Sequence, residues 1–111
     1  MNFLKFSTAE NFYFLNRSLV KDLGIKPTIF LYELISQYQE CIKKGTVSSF
    51  DYDGVDYFYA SMESIKENTT LGRKAQSLCI KILKDKKIIS YVFEGLPARR
   101  YFKIDERMLV I

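Results

Sequence analysis

The chain has 111 residues, of which 48% are hydrophobic and 15% aromatic, so it fits one domain with a real core and is too apolar to be disordered. Charges break every apolar run short of the roughly 18 to 20 residues of a membrane span, and no cleavage site follows Met1–Phe6, so a soluble, cytoplasmic protein without membrane contact is expected. The net charge of +4 is uneven: residues 1–69 carry 7 Lys or Arg against 9 Asp or Glu, and residues 70–111 carry 10 against 4, which directs any polyanion to the last part of the chain.

In chain order, Asn11–Leu15 alternates apolar residues and reads as a short strand, and Arg17–Leu23 as a short helix ended by Gly24. Pro27 suits a first helical turn, and Leu31, Leu34, Ile35, Tyr38, Cys41 and Ile42 recur at helical spacing, predicting a helix over Pro27–Lys44. The period then becomes alternating. Val47–Tyr52 and Val55–Ala60 flank Asp53-Gly54, a dipeptide suited to a tight hairpin turn. Asp51, Asp53 and Asp56 crowd that turn, but the twelve-residue calcium pattern is missing, so it reads as a solvated acidic turn.

Ser61 is placed to cap a helix over Ser61–Asn68, and Thr70 to cap the next, Leu71–Lys86. In that second helix Leu71, Ala75, Leu78, Cys79, Ile82 and Leu83 form the expected core stripe. Ile88–Phe93 and Arg99–Ile104 alternate around Gly95-Leu96-Pro97 and predict a closing hairpin. Hairpin, short helix, tight turn, longer helix and hairpin together give an α+β winged helix-turn-helix as the expected fold. Residues 71–86 would be its recognition helix and residues 88–104 its wing.

At about 100° per residue, the helix face opposite the stripe holds Arg73, Ser77, Ile80, Lys81 and Lys84, with Lys74 and Gln76 on its flanks. Arginine can pair with guanine through two parallel bonds, glutamine with adenine, and lysine or serine with phosphates or base edges. Recognition helices insert their N-terminal turns, which makes Arg73, Lys74, Gln76 and Ser77 the candidate base readers. Gly72 would let backbone approach a sugar-phosphate strand, or it simply begins the helix. Arg99 and Arg100 supply a second cationic group on the wing, followed by Lys103 and Arg107, although strand neighbours face opposite sides.

Other chemistries find little here. The chain has no His and only two cysteines, Cys41 and Cys79, both read as buried thiols. It has no phosphate-binding GxxxxGK[ST] or dinucleotide GxGxxG motif and no activated nucleophile, so a binding module without metal or cofactor is expected, not an enzyme. Phe12, Tyr13, Phe14, Tyr57, Phe58 and Tyr59 read as core or dimer contacts in preference to a single-strand stacking platform.

Three stretches carry a resemblance: Tyr57-Phe58-Tyr59-Ala60-Ser61 leading into a helix, Thr70-Leu71-Gly72-Arg73-Lys74-Ala75, and Gly95-Leu96-Pro97-Ala98-Arg99-Arg100-Tyr101-Phe102-Lys103-Ile104-Asp105. With the long helix from Pro27, they resemble the N-terminal winged-helix domains of Firmicute phage and plasmid replication initiators and DnaD-like replisome organisers. The resemblance implies a double-stranded DNA-binding or self-associating module of a replication protein, with Arg73, Lys74 and Ser77 on the recognition surface and Arg99 and Arg100 on the wing. A transcriptional regulator of the same fold is an alternative. So is a protein–protein module that homodimerises through the N-terminal strand or hairpin.

Overall fold

The computed structural model describes residues 13–50, 54–105 and 107. Helix α1 (Arg17–Leu23) begins where the Asn16 side chain accepts from the Ser18 and Leu19 N–H groups, and it ends at Gly24, whose φ of 94° turns the chain. Helix α2 (Ile25–Lys44) follows at once, two residues earlier than proline placement predicts. Pro27 still lies in the first turn, where a missing N–H breaks no helical bond. Gly24 offers no side chain as a cap. Instead, the Thr28 hydroxyl donates to the carbonyls of Gly24 (2.8 Å) and Leu19 (3.2 Å), which fixes the corner between the helices. Left-handed Gly45 closes α2.

The expected Asn11–Leu15 strand falls partly outside the described residues, and residues 13–15 form no strand. Among the described residues, the hairpin predicted across Asp53-Gly54 shows one bridge between its two arms, from Ser48 to Tyr57. Asp51 to Asp53, with most of the acidic turn, lie outside the described residues. Strand β1 (Phe58–Tyr59) pairs with a distant partner instead of its neighbour, because this buries Phe58 completely between Tyr38 and the last strand.

Helix α3 (Met62–Thr69) is capped by Ser61, whose hydroxyl accepts from the Ser64 N–H at 3.0 Å. Thr70 does not cap the following helix as expected. It takes a left-handed conformation (φ 65°) and closes α3, while Gly72 begins α4 (Arg73–Asp85). Strands β2 (Ile89–Glu94) and β3 (Arg99–Ile104) complete an antiparallel sheet in the order β1-β3-β2. The protein is thus an α+β fold of four helices and a three-stranded antiparallel sheet.

Its core is arranged around α2. Phe30, Leu31, Leu34 and Ile35 are fully buried, with Ile65 from α3, Leu83 from α4 and Phe102 from β3. Phe30 meets Phe102 edge-on at 6.4 Å, joining the helices to the sheet. Among the described residues, one charged side chain lies inside: Glu33 accepts from the Tyr13 hydroxyl (2.7 Å), Gln37 Nε2 (2.7 Å) and Asn68 Nδ2 (2.8 Å). These three neutral donors satisfy a carboxylate that would otherwise be costly to bury. Among the described residues, no helix is long and apolar enough to cross a membrane.

Candidate functional site

Helix α4 positions most of the expected site residues, but its buried face is rotated from the one the sequence predicts. Leu71, Cys79 and Leu83 of the expected stripe are buried, but Gln76 and Ile80 join them in place of Leu78 and Ile82. The buried face is thus turned by less than the roughly 100° of one residue step. Leu78 is therefore 59% exposed, and Ile80, expected on the outer face, is buried.

Gln76 is corrected with them: it is buried and cannot read a base. Its Nε2 donates to the carbonyls of Leu71 (2.9 Å) and Met62 (3.0 Å), backbone partners that the helical period does not reveal, while its Oε1 is enclosed without a partner among the described residues. Burial also pushes the Cys79 thiol pKa up, as expected for an enclosed thiol.

Arg73, Lys74, Ser77, Lys81 and Lys84 are exposed. Arg73 and Lys84 lie eleven residues apart, roughly 16 Å along the helix. Nothing lies within 4 Å of where a Gly72 Cβ would stand, so the approach to the start of α4 is open.

The hairpin divides its two arginines. Arg99 lies over the Tyr59 ring at 5.2 Å on one face. Arg100, on the other, stacks over Phe102 (4.9 Å) and Tyr91 (5.7 Å) with its Nε enclosed and unpaired. Desolvation lowers the Arg100 pKa from its ordinary value, and the rings compensate part of that loss by cation–π attraction.

Lys84 reaches the same Tyr91 ring, with Nζ 5.0 Å from its centroid. The end of α4 and the start of β3 thus place their cations on one aromatic residue. Tyr91 is a contributor that sequence reasoning missed; its alternation with Ile89 and Phe93 on one strand face is the signal that was there to be read.

Beside this contact, Lys84, Lys87 and Lys103 line an open cleft of about 330 Å³ with Ile89, Ser90 and Asp105. Asp105 is engaged by Arg107 at 3.0 Å, and that hydrogen bond, above all, holds its carboxyl below the usual carboxylate range. Lys87 was not among the expected cations, whereas Lys103 was expected only as one that follows the wing arginines. Lys87 takes a left-handed conformation (φ 62°) directly after α4, and Lys103 pairs in register with Ser90. Loop geometry and strand pairing bring them together, and no helical period encodes that.

A second, apolar groove of about 280 Å³ runs between the α1–α2 corner and α4, lined by Leu23, Ile25, Pro27, Ala75, Leu78 and Ile82, with Lys26 and Cys79. The chain matches no protein-family model, no curated protein and no solved structure.

Proposed function

We propose that this protein is a winged helix-turn-helix domain that binds double-stranded DNA, with α4 as its recognition helix and the β2–β3 hairpin as its wing. The observation that carries the reading is the meeting of Lys84 and Arg100 at Tyr91, which joins the basic stripe of α4 to the basic hairpin on one surface. The element order and the β1-β3-β2 sheet support this reading. Along α4, Arg73, Lys74 and Ser77 meet base edges, whereas Lys81, Lys84, Lys87 and Lys103 neutralise phosphates. The resemblance to replication initiators and replisome organisers makes DNA replication the process such binding would serve.

Fluorescence anisotropy of a labelled duplex at two salt concentrations tests this. Affinity should fall steeply with salt, and Lys84→Ala and Lys103→Ala should each reduce the log–log slope by about one. Absent binding, or affinity indifferent to salt, overturns the reading. The competing self-association reading has the exposed side chains of Leu78 and Ile25 in its favour. It predicts a dimer mass in solution that Leu78→Glu converts to monomer.

A further inference from the structure

The sheet has two unlike faces. Strand alternation turns Phe58, Phe102 and Ile89 toward the helices, where all three are buried, and leaves Tyr59, Tyr101 and Arg99 on the side away from them. Tyr59 and Tyr101 stand opposite one another in register with ring centroids 5.7 Å apart, and Tyr59 keeps 39% of its surface exposed. Phe50 meets Tyr101 in a T-shaped contact at 4.7 Å and buttresses that ring.

The cations on this face are not engaged in the fold's ion pairs. Glu94 stands directly opposite Arg99 in register, yet among the described residues the two form no ion pair. The Arg99 guanidinium lies over the Tyr59 ring instead, 5.2 Å from its centroid, where it holds the place a planar base would take. Alternation puts Lys103 on the same face two residues past Tyr101, so β3 presents cation, ring and cation at intervals of roughly 7 Å. An aromatic cross-strand pair strengthens a sheet, and a strand of two residues such as β1 benefits from it. That role asks for no cations.

Three occupants can be weighed against this face. A second copy packed on it in a symmetric dimer would set a like-charged surface against Arg99 and Lys103. A duplex offers phosphates, but its bases are stacked on one another and present no face to a tyrosine ring. A single strand offers both open base faces and phosphates, which is what aromatic rings beside cations accommodate without regard to sequence.

We infer that the outer face of the sheet is a platform for single-stranded DNA: successive bases stack on Tyr59 and Tyr101 while Arg99 and Lys103 take the phosphates. Lys103 also lines the cleft that holds Lys84 of α4, so the platform adjoins the proposed duplex surface. The choice of DNA over RNA rests on that duplex reading, whereas the stacking does not.

The chain contains no tryptophan, so Tyr59→Trp places a sole reporter at the exposed ring, and a base stacked on it quenches its emission. An oligothymidylate of about 12 nucleotides should quench that emission, and a duplex of equal length should not. By anisotropy, Tyr59→Ala should weaken oligothymidylate binding roughly tenfold at unchanged duplex affinity. Tyr59→Phe keeps the ring and should bind as the wild type does. Arg99→Ala should lower the single-strand salt slope by about 0.7.

Absent quenching, or equal oligothymidylate affinity in Tyr59→Ala and wild type, overturns the platform and leaves the duplex reading of α4 standing. Single-strand binding that Lys84→Ala abolishes and Tyr59→Ala does not puts the strand on α4 and also overturns it. Single-strand binding without duplex binding overturns the α4 reading and leaves the stacking face in place. Tighter binding of oligouridylate than of oligothymidylate overturns the assignment to DNA.

Discussion

The Gln76 amide donates to the carbonyls of Met62 and Leu71, at the start of α3 and just ahead of α4, so one buried side chain ties the two helices across the turn between them. Both carbonyls would lose a partner on truncation, the Leu71 bond in buried and the Met62 bond in part-buried surroundings. Gln76→Ala should therefore destabilise the fold by about 2–3 kcal/mol, combining unsatisfied backbone groups with a small cavity. Urea unfolding measures the loss. Duplex affinity per folded molecule should not change, because the side chain never reaches the surface. A specific loss of DNA affinity at unchanged stability would return Gln76 to the recognition face.

Helix α4 makes the element scale testable through two leucines. Leu83 is fully buried against the core, whereas Leu78 is 59% exposed. Leu83→Ala should cost about 2–5 kcal/mol and Leu78→Ala no more than about 0.5 kcal/mol; paired denaturant titrations give the comparison. The sequence alone ranks both as core residues.

That mismatch marks where sequence reading reaches its limit. Local rules were enough for α1, with its Gly24 end, and for Ser61 capping α3, as well as for the β2–β3 hairpin and the opposed arginines on it. The phase of α4 was not legible. Its packing depends on a glutamine whose Nε2 donates to backbone carbonyls outside α4, and a polar residue on a buried face looks in sequence like a solvent-facing one. Strand β1 failed for a similar reason, since Phe58 is paired with Phe102, forty-four residues away, and local alternation names no partner. Of the candidate site, the exposed cations of α4 were legible, while Tyr91, Lys87 and Lys103 required the strand register and the left-handed turn.

Across the whole molecule, fold stability and the basic surface are held by different groups. The ion pairs among the described residues are Lys44 with Glu40 and Arg107 with Asp105, and neither involves a cation of α4, of which Lys84 meets the Tyr91 ring. The buried polar network sits elsewhere, where Glu33 links the segment at Tyr13 to α2 and α3. Burial, and then the Glu33 carboxylate, raise the Tyr13 hydroxyl well above its ordinary pKa of 10.0. In the folded state Tyr13 thus keeps its proton under conditions where the unfolded chain has lost it. The stabilisation it contributes is complete below about pH 10 and is lost as pH climbs from there toward the folded value. Tyr32, raised in the same direction by burial, adds to the same decline. Urea midpoints measured at roughly pH 9 and pH 11 should fall for the wild type. Tyr13→Phe should be less stable at the lower pH, through loss of the bond to Glu33, and should show a shallower decline between the two. A decline as steep in Tyr13→Phe as in the wild type would mean that the base-sensitive proton belongs to another group and that the link from Tyr13 to Glu33 does not govern the stability of the fold.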